Sequence, residues 1–165
     1  AAPPALPVVT YDAPVTITMN GETVRLIPVP RAHTDGDTMV YFPTADVIMT
    51  GDFFRSVGYP FPDPNNGGTF SGLIAGLNAV IALARPTTRI VPGHGPIVGE
   101  HAVAAHRDMA LAVRDAVAAL VKQGKTADEV VAAKPTASTD GNVDPGGSSS
   151  DRFLRALHRE LSAAQ

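Results

Sequence analysis

A chain of 165 residues, 44% of them apolar, has the length for one modest domain and the composition to bury a core. Its formal charge of −3 gives no electrostatic ground for a nucleic-acid or anionic-membrane partner, and no apolar run reaches membrane-spanning length. Cysteine is absent, which excludes disulfides and thiolate metal ligands.

The chain begins at Ala1 rather than Met, as a processed or trimmed product would, and contains no readable signal peptide. Residues 1–10 are proline-rich and predict an extended, mobile segment. Two β-rich runs follow, 15–19 and 23–29. Asn20-Gly21 between them is a strong hairpin signal, because both residues tolerate positive φ. Pro28 and Pro30 are expected to end the second strand. A polar loop, 31–37, carries His33 and leads into a strand at 38–42. A turn at 43–45 then leads to a short apolar run, 47–49, ahead of Asp52.

Residues 53–68 form a long irregular stretch with aromatics, prolines and paired asparagines. Such loops inside a compact domain are often functional, which makes Tyr59, Phe61 and Asn66 candidates for substrate contact. Taken singly, each aromatic is as readily a packing residue. A helix is predicted over 69–84, with Leu73, Leu77, Val80, Ile81 and Ala84 on one face, a Thr69 or Ser71 cap and a stop at Pro86. Residues 89–91 form a strand that delivers His94. A long helix spans 100–122, buried along Met109, Val113, Val117 and Leu120, with His101 and His106 as surface or packing residues. Thr126 caps a short helix, 127–133. Residues 136–150 are rich in Ser, Thr, Asp and Gly and predict a flexible loop. Asp151 caps a last helix, 152–163, which carries a solvated His158. No internal repeat and no second domain are visible.

His33, Asp52 and His94 thus each follow a predicted strand and are expected on tight, glycine-rich loops, where functional groups are commonly presented. Imidazole nitrogen and carboxylate oxygen are ordinary zinc ligands, and glycines keep the approach to an ion open. Asp37 and Asp35 stand close enough in sequence to orient the imidazole of His33, or else to cap its turn. Turn capping is favoured for Asp35; for Asp37 the two roles are balanced. Asp46 reads as a turn residue.

The ordered motifs HTDGD at 33–37, TGD at 50–52 and GHG at 93–95 resemble the last three metal-binding motifs of the metallo-β-lactamase fold hydrolases. The resemblance runs from about Val15 to the end. It implies the C-terminal half of an αββα sandwich, an α+β arrangement of one mostly antiparallel sheet with covering helices. It assigns His33 to one zinc, His94 to a second, and Asp52 to both as the bridging, catalytic carboxylate. The implied reaction is hydrolysis of a β-lactam, thioester, lactone or phosphodiester; a periplasmic or secreted location is implied in the same way.

The family's H-x-H-x-D-H motif has no counterpart here, so each zinc would have at most two protein ligands from this chain, where a catalytic site normally has three. A half-sandwich would also leave one sheet face open to water. Two expectations follow. Either the chain is the C-terminal portion of a zinc hydrolase, completed by the N-terminal half or by a second, possibly swapped, copy. Or it is an inactive half-domain that assembles through the same face.

Overall fold

The computed structural model describes residues 6–147 and 149–163. Five strands, β1 (Val15–Met19), β2 (Glu22–Val29), β3 (Asp37–Phe42), β4 (Val47–Arg55) and β5 (Arg89–His94), form one sheet in sequence order. The first three pairings are antiparallel and the last, β4 with β5, is parallel. Five helices follow or interrupt them: α1 (Phe70–Leu83), α2 (Glu100–Lys122), α3 (Ala127–Ala133), α4 (Asp140–Val143) and α5 (Ser150–Ala163). This is the expected α+β arrangement of a mostly antiparallel sheet with covering helices. No described helix is long and apolar enough to cross a membrane.

Local chemistry explains most of the boundaries. Asn20 and Gly21 take positive φ, 53° and 77°, and close the β1–β2 hairpin as anticipated. Pro28 does not end β2. It lies inside the strand, opposite Thr38 of β3, beyond Leu26, where pairing with β1 stops, so its missing N–H leaves no gap in a central ladder. Thr69 caps α1 by accepting from the Gly72 amide, and the Glu160 carboxylate of α5 accepts from the Phe70 and Ser71 amides at 2.6 and 3.2 Å. A negative group at the positive end of α1 thus ties the two helices together. Thr126 and Glu129 form a full capping box on α3.

The sheet has two unlike faces. Ile27, Val29, Met39, Tyr41, Ile48 and Ile90 pack against α1 and the start of α2, with Phe53, Leu73, Leu77, Val80 and Val103. A second core joins α1, α2, α3 and α5 through Phe70, Val113, Val117, Val130, Phe153, Leu154 and Leu157. On the opposite face, Val15, Leu26, Val40, Met49 and Val91 pair in register into one apolar row across all five strands. None of the five belongs to either core, and Met49 is 42% exposed. The face expected to be left open is therefore open in this chain.

Three local expectations are corrected. Asp52 and His94 are strand residues, not loop residues after short strands, because β4 runs on to Arg55 and β5 to His94, paired through irregular register. The segment 136–150 contains α4 and buries Thr136, Asp144 and Ser149, where loop was expected. Asp144 Oδ2 collects the Ser149 amide, the Ser149 hydroxyl and the Ser150 amide, which fixes the approach to α5. Finally, the last helix begins at Ser150 rather than after an Asp151 cap. Of the N-terminal segment predicted to be extended, residues 1–5 lie outside the described residues, and 6–10 are exposed and in no regular element.

Candidate metal centre

The three residues singled out by the sequence converge. The Asp52 carboxylate lies between two imidazoles, with Oδ2 3.7 Å from His33 Nε2 and Oδ1 3.5 Å from His94 Nε2. Each carboxylate oxygen faces a different ring, the disposition a bridging ligand requires. Irregular pairing builds this geometry: the β4–β5 register shifts between Met49 and Gly51 and again between Gly51 and Arg55, with Gly51 at φ 59°. Gly93 makes room on the neighbouring strand, since a Cβ there would collide with Asp52 Oδ1 and with the Gly51 backbone.

His33 is held in a defined orientation. Its Nδ1 lies 2.6 Å from the Phe61 carbonyl oxygen. A carbonyl only accepts, so Nδ1 carries a proton, and Nε2 is the ring nitrogen turned toward Asp52. The ring partner is therefore this carbonyl and not a carboxylate. Asp37 instead caps the turn: its Oδ2 accepts from the His33 amide at 2.5 Å and the Thr34 amide at 3.0 Å, and Oδ1 accepts from the Thr34 hydroxyl. It positions His33 through the backbone. Asp35 donates its amide to the Asn66 carbonyl, and the His33 ring bonds elsewhere.

The substrate-contact candidates separate. Phe61 lines a cleft of about 300 Å³ together with His33, Asp52, His94, Arg55 and Arg152. Tyr59 does not reach it. Its ring is fully buried and stacked on Phe153 at 5.4 Å, and its hydroxyl bonds within the 136–140 segment to Thr139, Asp140 and the Thr136 carbonyl. Burial pushes that phenol up to about 12. Asn66 lies in a short 3-10 turn, Pro64–Asn66, where its amide donates to Asp63, outside the cleft.

Sequence reasoning missed Arg55 and Arg152. Arg55 sits opposite His94 in the β4–β5 pairing; Arg152 stacks its guanidinium 3.8 Å over the Phe61 ring. Of the remaining histidines, His106 packs edge-on against Phe54 at 5.5 Å, and burial, assisted by Arg55, pushes it down to about 4. His158 lies outside the cleft and bonds the Lys125 carbonyl.

Among the described residues, no three His, Asp or Glu side chains converge on a single ion position. The donors present do suit zinc in kind: an imidazole oriented through Nδ1 by a carbonyl, a second imidazole and a carboxylate shared between them. With Asp52 counted toward both ions they supply two donors to each, short of the three a catalytic zinc normally takes.

No protein-family model matches the chain, and no curated protein does; the likeness is structural. The chain has the metallo-β-lactamase fold, in part. It is similar to the stereoselective inverting sec-alkylsulfatase Pisa1 from Pseudomonas sp., at TM-score 0.67 and 16% identity over 93% of this chain and 26% of that one. A metallo-β-lactamase family protein from Thermus thermophilus superposes at TM-score 0.62, 16% identical, covering 93% of this chain and 48% of that one. A metallo-β-lactamase from Pontibacter korlensis gives 0.53 at 15% identity, over 62% and 49%. The chain thus spans between about a quarter and a half of the length of these proteins.

Proposed function

We propose that this chain is the C-terminal portion of a zinc-dependent hydrolase whose open sheet face is covered by a second sheet, supplied by the rest of such a domain. The observation that carries this reading is the Asp52 carboxylate set between His33 Nε2 and His94 Nε2, with the His33 ring oriented by the Phe61 carbonyl. His33 and Asp52 would hold one ion, Asp52 and His94 another. Bound zinc supplies a water with its pKa lowered to about 7 and polarises the scissile carbonyl or phosphoryl group. The chain's own contribution is positional. Phe61 fixes the ring, Asp37 fixes the turn that carries it, and Gly93 leaves space for the carboxylate. β-Lactam, thioester, lactone and phosphodiester bonds all suit that chemistry, because one fold hosts many reactions.

One observation favours a second reading. Only one imidazole lies on each side of Asp52 among the described residues, and no three donors meet at one ion position, which suits an inactive half-domain that pairs through its open face with a second copy. Native mass spectrometry of the purified chain in zinc separates the two. A complex with a second polypeptide and two zinc ions, with zinc lost in Asp52→Ala, is expected for the hydrolase. A metal-free homodimer would overturn it in favour of the second reading, and a metal-free monomer would overturn both.

A further inference from the structure

From the contacts where β4 and β5 end, we infer that Ser56 is the positioning residue for His94: it holds the backbone on both sides of Gly95 and so sets the second imidazole against Asp52. The inference deepens the hydrolase reading, on which it rests for the meaning of His94, and it gives a role to a residue outside the three ordered motifs.

The two imidazoles are held in different ways. The His33 ring is fixed by the Phe61 carbonyl at 2.6 Å, and its turn by Asp37. The His94 side chain is 56% exposed and faces Asp52 Oδ1 at 3.5 Å; among the described residues no hydrogen bond fixes its ring from behind. Its place therefore depends on its backbone. Ladder pairing gives limited support there, because the β4–β5 register shifts between Gly51 and Arg55, the stretch that contains Asp52. Ser56 takes over immediately beyond. Its amide donates to the His94 carbonyl at 2.9 Å. Its hydroxyl donates to the Pro96 carbonyl at 2.8 Å, with the His94 carbonyl a longer 3.5 Å away. Gly95, between those two carbonyls, takes a φ of 97°, and a Cβ there would collide with the Ser56 hydroxyl oxygen. Two carbonyls thus converge on one serine across a turn that only glycine lets close so tightly. Ser56 also follows Asp52 on the same segment of chain. That segment presents a carboxylate to the His94 ring and a hydroxyl to the backbone behind it, so the Asp52–His94 separation is set within one short piece of the molecule. A ligand's affinity depends on such supporting bonds, which hold it where the ion needs it.

The test separates positioning from stability. In the full chain, in whichever assembly it forms, the imidazole resonances of His33 and His94 are followed by NMR as zinc is added. Ser56→Ala keeps the amide bond and removes the hydroxyl. Its His94 midpoint is expected at about tenfold higher zinc, the usual cost of removing a ligand's support, with a smaller move at His33. Ser56→Thr, which keeps the hydroxyl, should restore the His94 midpoint. Lowered thermal stability with both midpoints unchanged would overturn the inference, as would equal losses in the two variants. Failure of the hydrolase reading looks different, since neither ring of the wild type then responds to zinc. Ring relaxation in the metal-free chain decides the role of Ser56 in that case. There the His94 ring is expected to lose order in Ser56→Ala and regain it in Ser56→Thr, with His33 unmoved. A His94 ring equally ordered in all three proteins would overturn the inference.

Discussion

Gly93 leaves beside Asp52 a space that no side chain could share. Ala at this position would drive a methyl into Asp52 Oδ1 and the Gly51 backbone, whereas Ala at Gly99 would meet nothing within 4 Å. Gly93→Ala is therefore expected to weaken zinc binding by about tenfold or more, as displacing a ligand's support does, while Gly99→Ala leaves it unchanged. Isothermal titration with zinc, on whichever assembly the chain forms, checks this; equal affinities in the two variants would remove Gly93 from the site. His106 makes a second prediction. Its pKa is pushed down to about 4 by burial and by Arg55, against about 6.5 when unfolded. Between those values the unfolded chain binds a proton that the folded chain refuses, so stability falls as pH drops from about 6.5 toward 4 and is unaffected above. Urea unfolding at pH 7 and pH 5 should show a larger loss in the wild type than in His106→Leu. An equal loss in both would mean that His106 is protonated in the fold.

At the scale of the element, the long irregular stretch after Asp52 divides its labour in a way no local pattern reveals. Phe61 turns its carbonyl to His33, while Tyr59, two residues earlier, anchors the 136–140 segment across the second core. Tyr59→Phe is expected to destabilise the fold by about 1–2 kcal/mol through the lost hydroxyl bonds, with no effect on zinc binding. Thermal unfolding and zinc titration of that variant check both halves; lost zinc affinity would return Tyr59 to the cleft. The helices were legible because apolar spacing and caps are local: Leu73, Leu77 and Val80 are buried as the periodicity of α1 predicts. His33, Asp52 and His94 were legible because their motifs are contiguous and ordered. Arg55 and Arg152 were not, since an arginine at a strand end or in a first helical turn looks like any solvated charge until the tertiary fold brings the two together. The lengths of β4 and β5 were hidden for a similar reason. Gly51, Pro92 and Gly93 read as loop, but parallel pairing carries the strands through them.

For the whole molecule, the row from Val15 through Leu26, Val40 and Met49 to Val91 is an apolar stripe across all five strands. Monomers seldom leave so continuous an apolar face in water. Met49→Lys, at a position already 42% exposed, should leave the fold intact by circular dichroism yet reduce self-association or capture of a second sheet. Analytical ultracentrifugation reads this directly, and an unchanged sedimentation profile would mean that the face is not what partners bind.

The clamp between Glu160 and the first amides of α1 spans 90 residues of chain. The four-stranded meander from β1 to β4 joins sequence neighbours, so its loops close cheaply, and β5 needs only α1 to reach it. Helix α5 packs on α3 nearby in sequence, but also on α1 and α2 from much farther away. During synthesis it leaves the ribosome after every element it packs on, carrying Arg152 with it, and the helical core stays unsealed until then. Among the described elements, α5 is therefore the last made, and one wall of the cleft follows its candidate ligands. A nascent chain stalled before residue 150 would hold His33, Asp52 and His94, yet lack one wall of the cleft they face.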